Sequence, residues 1–272
     1  MASELETPRQ TEVIHDVMDP ARGATLQTAM DLPVTVTMGA PLPPFFHQIH
    51  FWAPEPPTRL GRDGHPKTGI GLIPDLGLPR RMWAGGRLSF SAPLLAGIPA
   101  EKHTSILKVS RKDGRTGPLG FVTLLHEIRQ NGALCLSEEQ DLVYREDPDP
   151  AAPKPVPPVA ATDEDHAETA AFTTTLLFRY SALTMNGHRI HYDGDYTRSV
   201  EGYPGLVTHG PLLAQLLMLM AERKMGPLTS FAFRATAPVT VDETVTLCWK
   251  QDGTLWVRGA DGRQCMEAKA TA

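Results

Sequence analysis

The chain lacks most of the features that announce what a protein does. Of its 272 residues only three are cysteines (Cys135, Cys248 and Cys265), an odd number with no Cys-x-x-Cys pair. That excludes a disulfide framework and a thiolate metal site, and leaves reduced packing residues of the kind expected in a cytoplasmic protein. No stretch reaches the ~18–20 continuous apolar residues of a membrane span. The opening residues are acidic and polar, without a basic and then apolar segment, so no signal peptide is expected. A formal net charge of −5 gives no basic surplus for nucleic acid, although a local patch can still hold a small anion. Walker, Rossmann-glycine, His-Glu-x-x-His and Gly-x-Ser-x-Gly patterns are all missing. What remains is an ordinary globular composition, 41% apolar and 21% charged.

Proline supplies the first positive signal. The run from Asp147 to Pro158 is proline-dense, lacks backbone donors and favours extended chain. It divides the protein into an N-terminal domain (1–146), a Pro/Ala-rich linker (147–170) and a C-terminal domain (171–272). In the last of these, Ala171–Tyr180 is β-branched and aromatic and reads as a strand. From Gly210 to Gly226 the pattern is helical, with Pro211 at the first position and Lys224 and Gly226 at the end. Seven of the ten residues from Pro211 to Met220 are Leu or Met, so this helix must be wrapped on nearly every side. Four short strands follow, at 228–235, 244–250, 254–258 and 264–271. One buried helix followed by an antiparallel meander implies a sheet curled around a helix, the hot-dog arrangement.

The N-terminal domain has a similar meander (88–90, 105–110, 121–130 and 133–145), with turns expected at 111–114, 117–120 and 129–132. Its helix signal, Pro20 to Asp31, is short and interrupted by Gly23. The fold class is therefore α+β, two hot-dog units with the first diverged. Residues 41–81 are rich in Pro and Gly and read as loops over a site.

Two segments concentrate chemistry. Thr184, Asn186, His188, Arg189 and His191 fall within eight residues. Histidine titrates nearest neutrality and suits proton transfer, whereas Asn orients but cannot take a proton. Next to them in sequence, His209-Gly210 opens the apolar helix, where unpaired N–H groups and the helix dipole favour a developing negative charge. His209 reads as a structural neighbour rather than an acid. The other segment, Pro79 to Leu88, sets Arg80, Arg81 and Arg87 around Trp83 and a Gly-Gly pair. Arginine forks match carboxylate and phosphate, and Trp stacks on planar ligands. A basic turn at Lys108–Arg115 reads as solvent-facing surface.

Tyr180-Ser-Ala-Leu-Thr-Met-Asn-Gly-His-Arg-Ile-His191 resembles the signature of the MaoC-like, R-specific enoyl-CoA hydratases, Tyr-Ala-x-x-Ser-Gly-Asp-x-Asn-Pro-Ile-His. Gly205 to Leu212 resembles the start of that family's central helix. Arg80 to Gly86 and Glu138 to Tyr144 are similar to the double hot-dog branch that includes itaconyl-CoA hydratase, mesaconyl-C4-CoA hydratase and the type 2 3-hydroxyacyl-thioester dehydratases. The resemblance implies a hydro-lyase with His191, Asn186 and Gly210 in catalytic positions. Thr184, His188, Arg189, Arg81, Trp83 and Arg87 would then bind substrate. It implies no metal and no redox cofactor, because coenzyme A arrives as part of the substrate. One position departs: the family's catalytic Asp falls on Asn186, and its Asn on His188. His191 alone, His191 with His188, or a carboxylate on the substrate could make good the difference. The last option favours a short branched dicarboxylic enoyl-CoA of itaconate degradation and related C5-dicarboxylate catabolism, with Arg81, Arg87 or Arg189 as its partner. The rivals are a dehydratase of monocarboxylic chains, a hot-dog thioesterase and a non-catalytic acyl-CoA-binding protein. Hot-dog sheets pair edge to edge, so the halves can satisfy each other or form a homodimer.

Overall fold

The computed structural model describes residues 3–4, 10–114, 117–147 and 156–272. Its framework is one antiparallel sheet of eleven strands. The N-terminal half supplies β1 (Ser3–Glu4), β2 (Thr11–Asp16), β3 (Arg80–Phe90), β4 (Ala100–Gly114), β5 (Gly117–Gln130) and β6 (Ala133–Arg145). The C-terminal half supplies β7 (His166–Ala171), β8 (Ser230–Ala235), β9 (Thr244–Trp249), β10 (Thr254–Arg258) and β11 (Gln264–Thr271). The order is β1-β4-β5-β6-β3-β8-β11-β10-β9-β7, with β2 also on β4. Both meanders are thus present, and they fuse where β3 pairs with β8.

Glycine makes that seam possible. Gly85 lies opposite Arg234 and Gly86 opposite Phe233. A Cβ on Gly85 would stand 2.5 Å from the Phe233 carbonyl, and one on Gly86 would stand 2.9 Å from the Phe233 ring. From sequence, this Gly-Gly pair and its arginines suggest a ligand-binding segment, with a strand expected only from residue 88. The structure corrects it: β3 begins at Arg80, because the pair admits a second backbone rather than a ligand.

Helix α4 (Gly210–Met225), which follows the short helix α3 (Gly194–Ser199), is the expected central helix, with ten buried residues, packed on β8, β9, β10 and β11. Helix α1 (Pro20–Ala29) is shorter and buries Gly23, Leu26 and Gln27. Phe45, Phe46, Ile49 and Phe51 complete the N-terminal core beside it.

Three further expectations change. Residues 174–183 form a helix, α2 (Thr174–Leu183), not a strand. Thr173 caps it by accepting from the Leu176 N–H. Leu177, Tyr180 and Ser181 are its buried face at helical spacing, and this outweighs the β-propensity of the threonines. Strands β4 and β5 extend through the turns expected at 111–114 and 117–120. Residues 148–155 of the expected linker lie outside the described residues. Its end is ordered: Val159 bridges to Arg263, and residues from His166 form edge strand β7 against β9.

Candidate active site

The chemistry-bearing residues of the C-terminal half converge where α2 ends and α4 begins. Met185 takes a left-handed conformation, φ 50°, and breaks the chain out of α2. The Thr184 hydroxyl donates back to the Tyr180 carbonyl at 2.7 Å, so this side chain finishes the helix. Asn186 Oδ1 accepts from the His188 N–H at 3.0 Å, closing an Asx turn. Asn186 therefore shapes the loop that presents the histidines.

Three imidazoles stand in a row. His188 meets His191 edge to face at 5.6 Å, and His191 stacks on His209 at 3.6 Å with 19° between the planes. His191 Nδ1 donates to the Val207 carbonyl at 2.7 Å, which fixes the proton on Nδ1 and leaves Nε2 as an acceptor. Burial lowers the His191 pKa to about 4, only partly offset by that bond. Burial and the neighbouring His191 lower His188 to about 3. His209, fully buried, also lies well below the usual value through burial and the two other rings. All three are neutral near pH 7. His209 Nε2 meets Ser181 Oγ at 2.8 Å, which holds the ring against which His191 stacks.

His209 is also the residue before α4. Gly210, the first residue of that helix, carries an N–H with no intrahelical acceptor. A Cβ built on Gly210 would meet nothing within 4 Å. That open space beside an N–H at a helix start, one residue from the stack under His191, can admit a carbonyl oxygen and stabilise charge on it.

The N-terminal half closes the other end of the row. Its loop at 61–65 docks on the histidine loop: the Arg189 N–H donates to the Asp63 carbonyl at 2.9 Å. Gly64, at φ +88°, approaches so closely that a Cβ there would lie 2.1 Å from the Gly187 carbonyl. The docking brings His65 to 4.8 Å from the His188 ring. On the N-terminal side of His65 lies a cleft of about 200 Å³, lined by residues of that half that include Asp63, His65, Arg81 and Tyr144.

The expected arginines separate. Arg81 lines the cleft. Arg87 is half exposed and tied to Glu139 and Asp141 on the outer surface. Arg189 grips Asp193 at 2.7 Å, donates to the Arg62 carbonyl and lies over the Tyr196 ring. It braces the loop rather than facing the cleft. Arg80 is buried in an ion pair with Glu201. Trp83 donates to the Gly85 carbonyl and packs between Phe45 and Phe233 as a core anchor. Sequence reasoning missed Asp63, His65 and Ser181. The available signal was Asp63-Gly-His-Pro66, chemistry-bearing residues in a Pro/Gly-rich stretch, since loops carry function.

With this geometry in view, comparison with known proteins places the chain. A profile for hydroxyacyl-thioester dehydratase type 2 matches residues 45–241. The chain belongs to that family. It is 43% identical over 255 residues to a mesaconyl-C(4)-CoA hydratase of Chloroflexus aurantiacus, covering 91% of this chain and 89% of the relative. Among solved structures, a MaoC-like dehydratase of Phytophthora capsici aligns with a TM-score of 0.71 over 98% of this chain and 96% of that one, at 14% identity. A Mycobacterium tuberculosis protein described as a double hot-dog aligns with a TM-score of 0.57 over 98% of this chain and 96% of that one, also at 14% identity. The fold is the double hot-dog, and the protein is a hydro-lyase of the hydratase/dehydratase type. Among the described residues no helix is long and apolar enough to cross a membrane.

Proposed function

We propose that this dehydratase-family member reversibly hydrates a short, branched dicarboxylic enoyl-CoA, mesaconyl-C4-CoA or itaconyl-CoA, as a cytoplasmic enzyme of C5-dicarboxylate catabolism. One observation carries the reading. A histidine held in the accepting tautomer stacks on the residue that precedes an open helix N–H, and an arginine lines the cleft at the far end of the same row. The Gly210 N–H would take the thioester oxygen, placing the α-carbon by His191 and the β-carbon towards His188. Water then adds its oxygen to the β-carbon, and the π electrons move to the α-carbon and the thioester oxygen. His191 Nε2 serves the return of the proton to the α-carbon. A second carboxylate near the β-carbon would meet Arg81, as a charge-assisted pair requires. The chemistry is acid–base throughout; coenzyme A belongs to the substrate.

Support for the dicarboxylic substrate comes from Arg81 and from the mesaconyl-C(4)-CoA hydratase at 43% identity. The family description favours a second reading, a 3-hydroxyacyl-thioester dehydratase of monocarboxylic chains. The deciding experiment is to offer the purified protein mesaconyl-C4-CoA, itaconyl-CoA and crotonyl-CoA and follow loss of the enoyl-thioester absorbance. Preference for a dicarboxylic acyl group is the expected result. Crotonyl-CoA turned over best would select the second reading.

A further inference from the structure

We infer that Asp63, from the N-terminal half, is the carboxylate of this active site and holds, with His65 and His188, the water that is added. The inference rests on the hydration reading above and assigns the group that reading leaves open. Water attacking a β-carbon must lose a proton, and residue 186, an amide, cannot accept it. His191 Nε2, its one free acceptor nitrogen, serves the α-carbon in that reading, so the water's proton needs another acceptor. The fold supplies a carboxylate from elsewhere. One ligand atom each of Asp63, His65 and His188 lies within 4.8 Å of the others. Asp63 Oδ1 accepts the His65 N–H at 3.1 Å, which fixes the turn. Burial raises its pKa, against the opposing pull of the His65 N–H and Arg81, so it is a stronger base than an ordinary carboxylate.

Two ~2.8 Å hydrogen bonds meeting at a tetrahedral water span ~4.6 Å, so a water fits among these three groups. The placement also suits the substrate. From the Gly210 N–H the row runs through His191 to His188, with Asp63 and His65 at its far end beside Arg81. A thioester oxygen on Gly210 would direct the acyl chain along this row towards that end.

The step balances without another reactant. Asp63 takes one proton from water as the water oxygen bonds to the β-carbon. The π pair moves to the α-carbon and the thioester oxygen. The proton passes from Asp63 by way of His188 and His191 to the α-carbon, and the carboxylate is restored. Dehydration is the reverse. The histidine loop of one half and the carboxylate loop of the other thus form one site, and Arg189, through its backbone bond to Asp63, holds them in register.

The test is kinetic, on the acyl-CoA that the wild-type protein turns over best. Asp63→Asn keeps an oxygen for the His65 N–H, so melting temperature and KM should stay near wild type while kcat falls about 10²–10⁴-fold. Asp63→Glu should recover part of that loss, which a purely structural role would not produce. His65→Gln leaves the carboxylate in place and serves if Asp63→Asn fails to fold; it should cost about tenfold in kcat. Asp63→Asn or, in its place, His65→Gln within about threefold of wild type, beside an inactive His191→Ala, overturns the inference and spares the hydration reading. Activity lost to EDTA and restored by Zn²⁺ overturns it in favour of a metal. A wild-type protein that hydrates none of the three enoyl-CoAs overturns both.

Discussion

The two halves of this protein solve one packing problem differently. In the C-terminal half a 16-residue helix with ten buried residues fills the curl of strands five to eight residues long. In the N-terminal half the main strands run 11 to 15 residues, yet the helix has only ten and buries three. The missing volume is taken by the aromatic segment around Phe45 and Phe51, both in left-handed conformations. A core filled by one regular helix leaves the start of that helix open for a ligand. A core filled by irregular chain leaves loops of the same half long enough to reach across. The difference fits the division of the site, with His188, His191, His209 and Gly210 in one half and Asp63, His65 and Arg81 in the other.

One variant, two pairs of variants and a change of pH would break or sharpen the contrast. The largest effect is expected from His191→Ala, with kcat reduced about 10³–10⁴-fold and melting little changed, read from steady-state kinetics beside circular dichroism. Wild-type turnover in that variant would move the chemistry out of the C-terminal half. Next come paired core deletions. Leu217→Ala, in the middle of α4 at 0% exposure, should cost about 3–5 kcal/mol by denaturant unfolding. Leu26→Ala in α1 should cost about 2–3 kcal/mol, because irregular chain around it collapses more easily. Equal losses would show that the two cores are equally rigid. The second pair is Arg81→Gln and Arg87→Gln. The first should lose about 10–100-fold in kcat/KM on a dicarboxylic substrate while sparing crotonyl-CoA. The second breaks only half-exposed surface pairs and should leave kinetics unchanged, with stability within about 1 kcal/mol.

The smallest effect is the response to acid. Burial holds His188 at about 3, and His50, His126 and His191 at about 4, below the ordinary 6.5. These depressed values mean that the unfolded chain binds more protons than the folded one between pH 6.5 and about 4. Stability should be fully present above pH 6.5 and fall as pH drops through that window. His191 keeps its acceptor nitrogen down to about pH 4, so folded protein should stay active until Asp63 protonates, above the ordinary carboxylate value, while its melting temperature declines. His188→Asn should flatten the decline, and an unchanged slope would assign it to other groups.

Much of this was written in local pattern. The central helix, the 254–258 and 264–271 strands and the 133–145 strand stand at the expected residues, because period, caps and turn glycines are near-neighbour properties. The histidine loop was legible for the same reason. Helix α2 is not legible in that way, because its β-branched residues favour a strand locally while its three-residue buried face shows only in packing.

What the sequence determined by itself was the kind of fold, two meanders each with a helix, and a proton-handling loop beside a helix start. Local propensity and hydrophobic period suffice for those. Only the tertiary structure decided that Gly85-Gly86 is a seam rather than a ligand loop, that Arg81 and not Arg87 or Arg189 lines the cleft, and that Asp63 reaches His188 from more than a hundred residues away. Such pairings depend on which backbones approach closely enough to touch, and no property of a short stretch of chain encodes that distance.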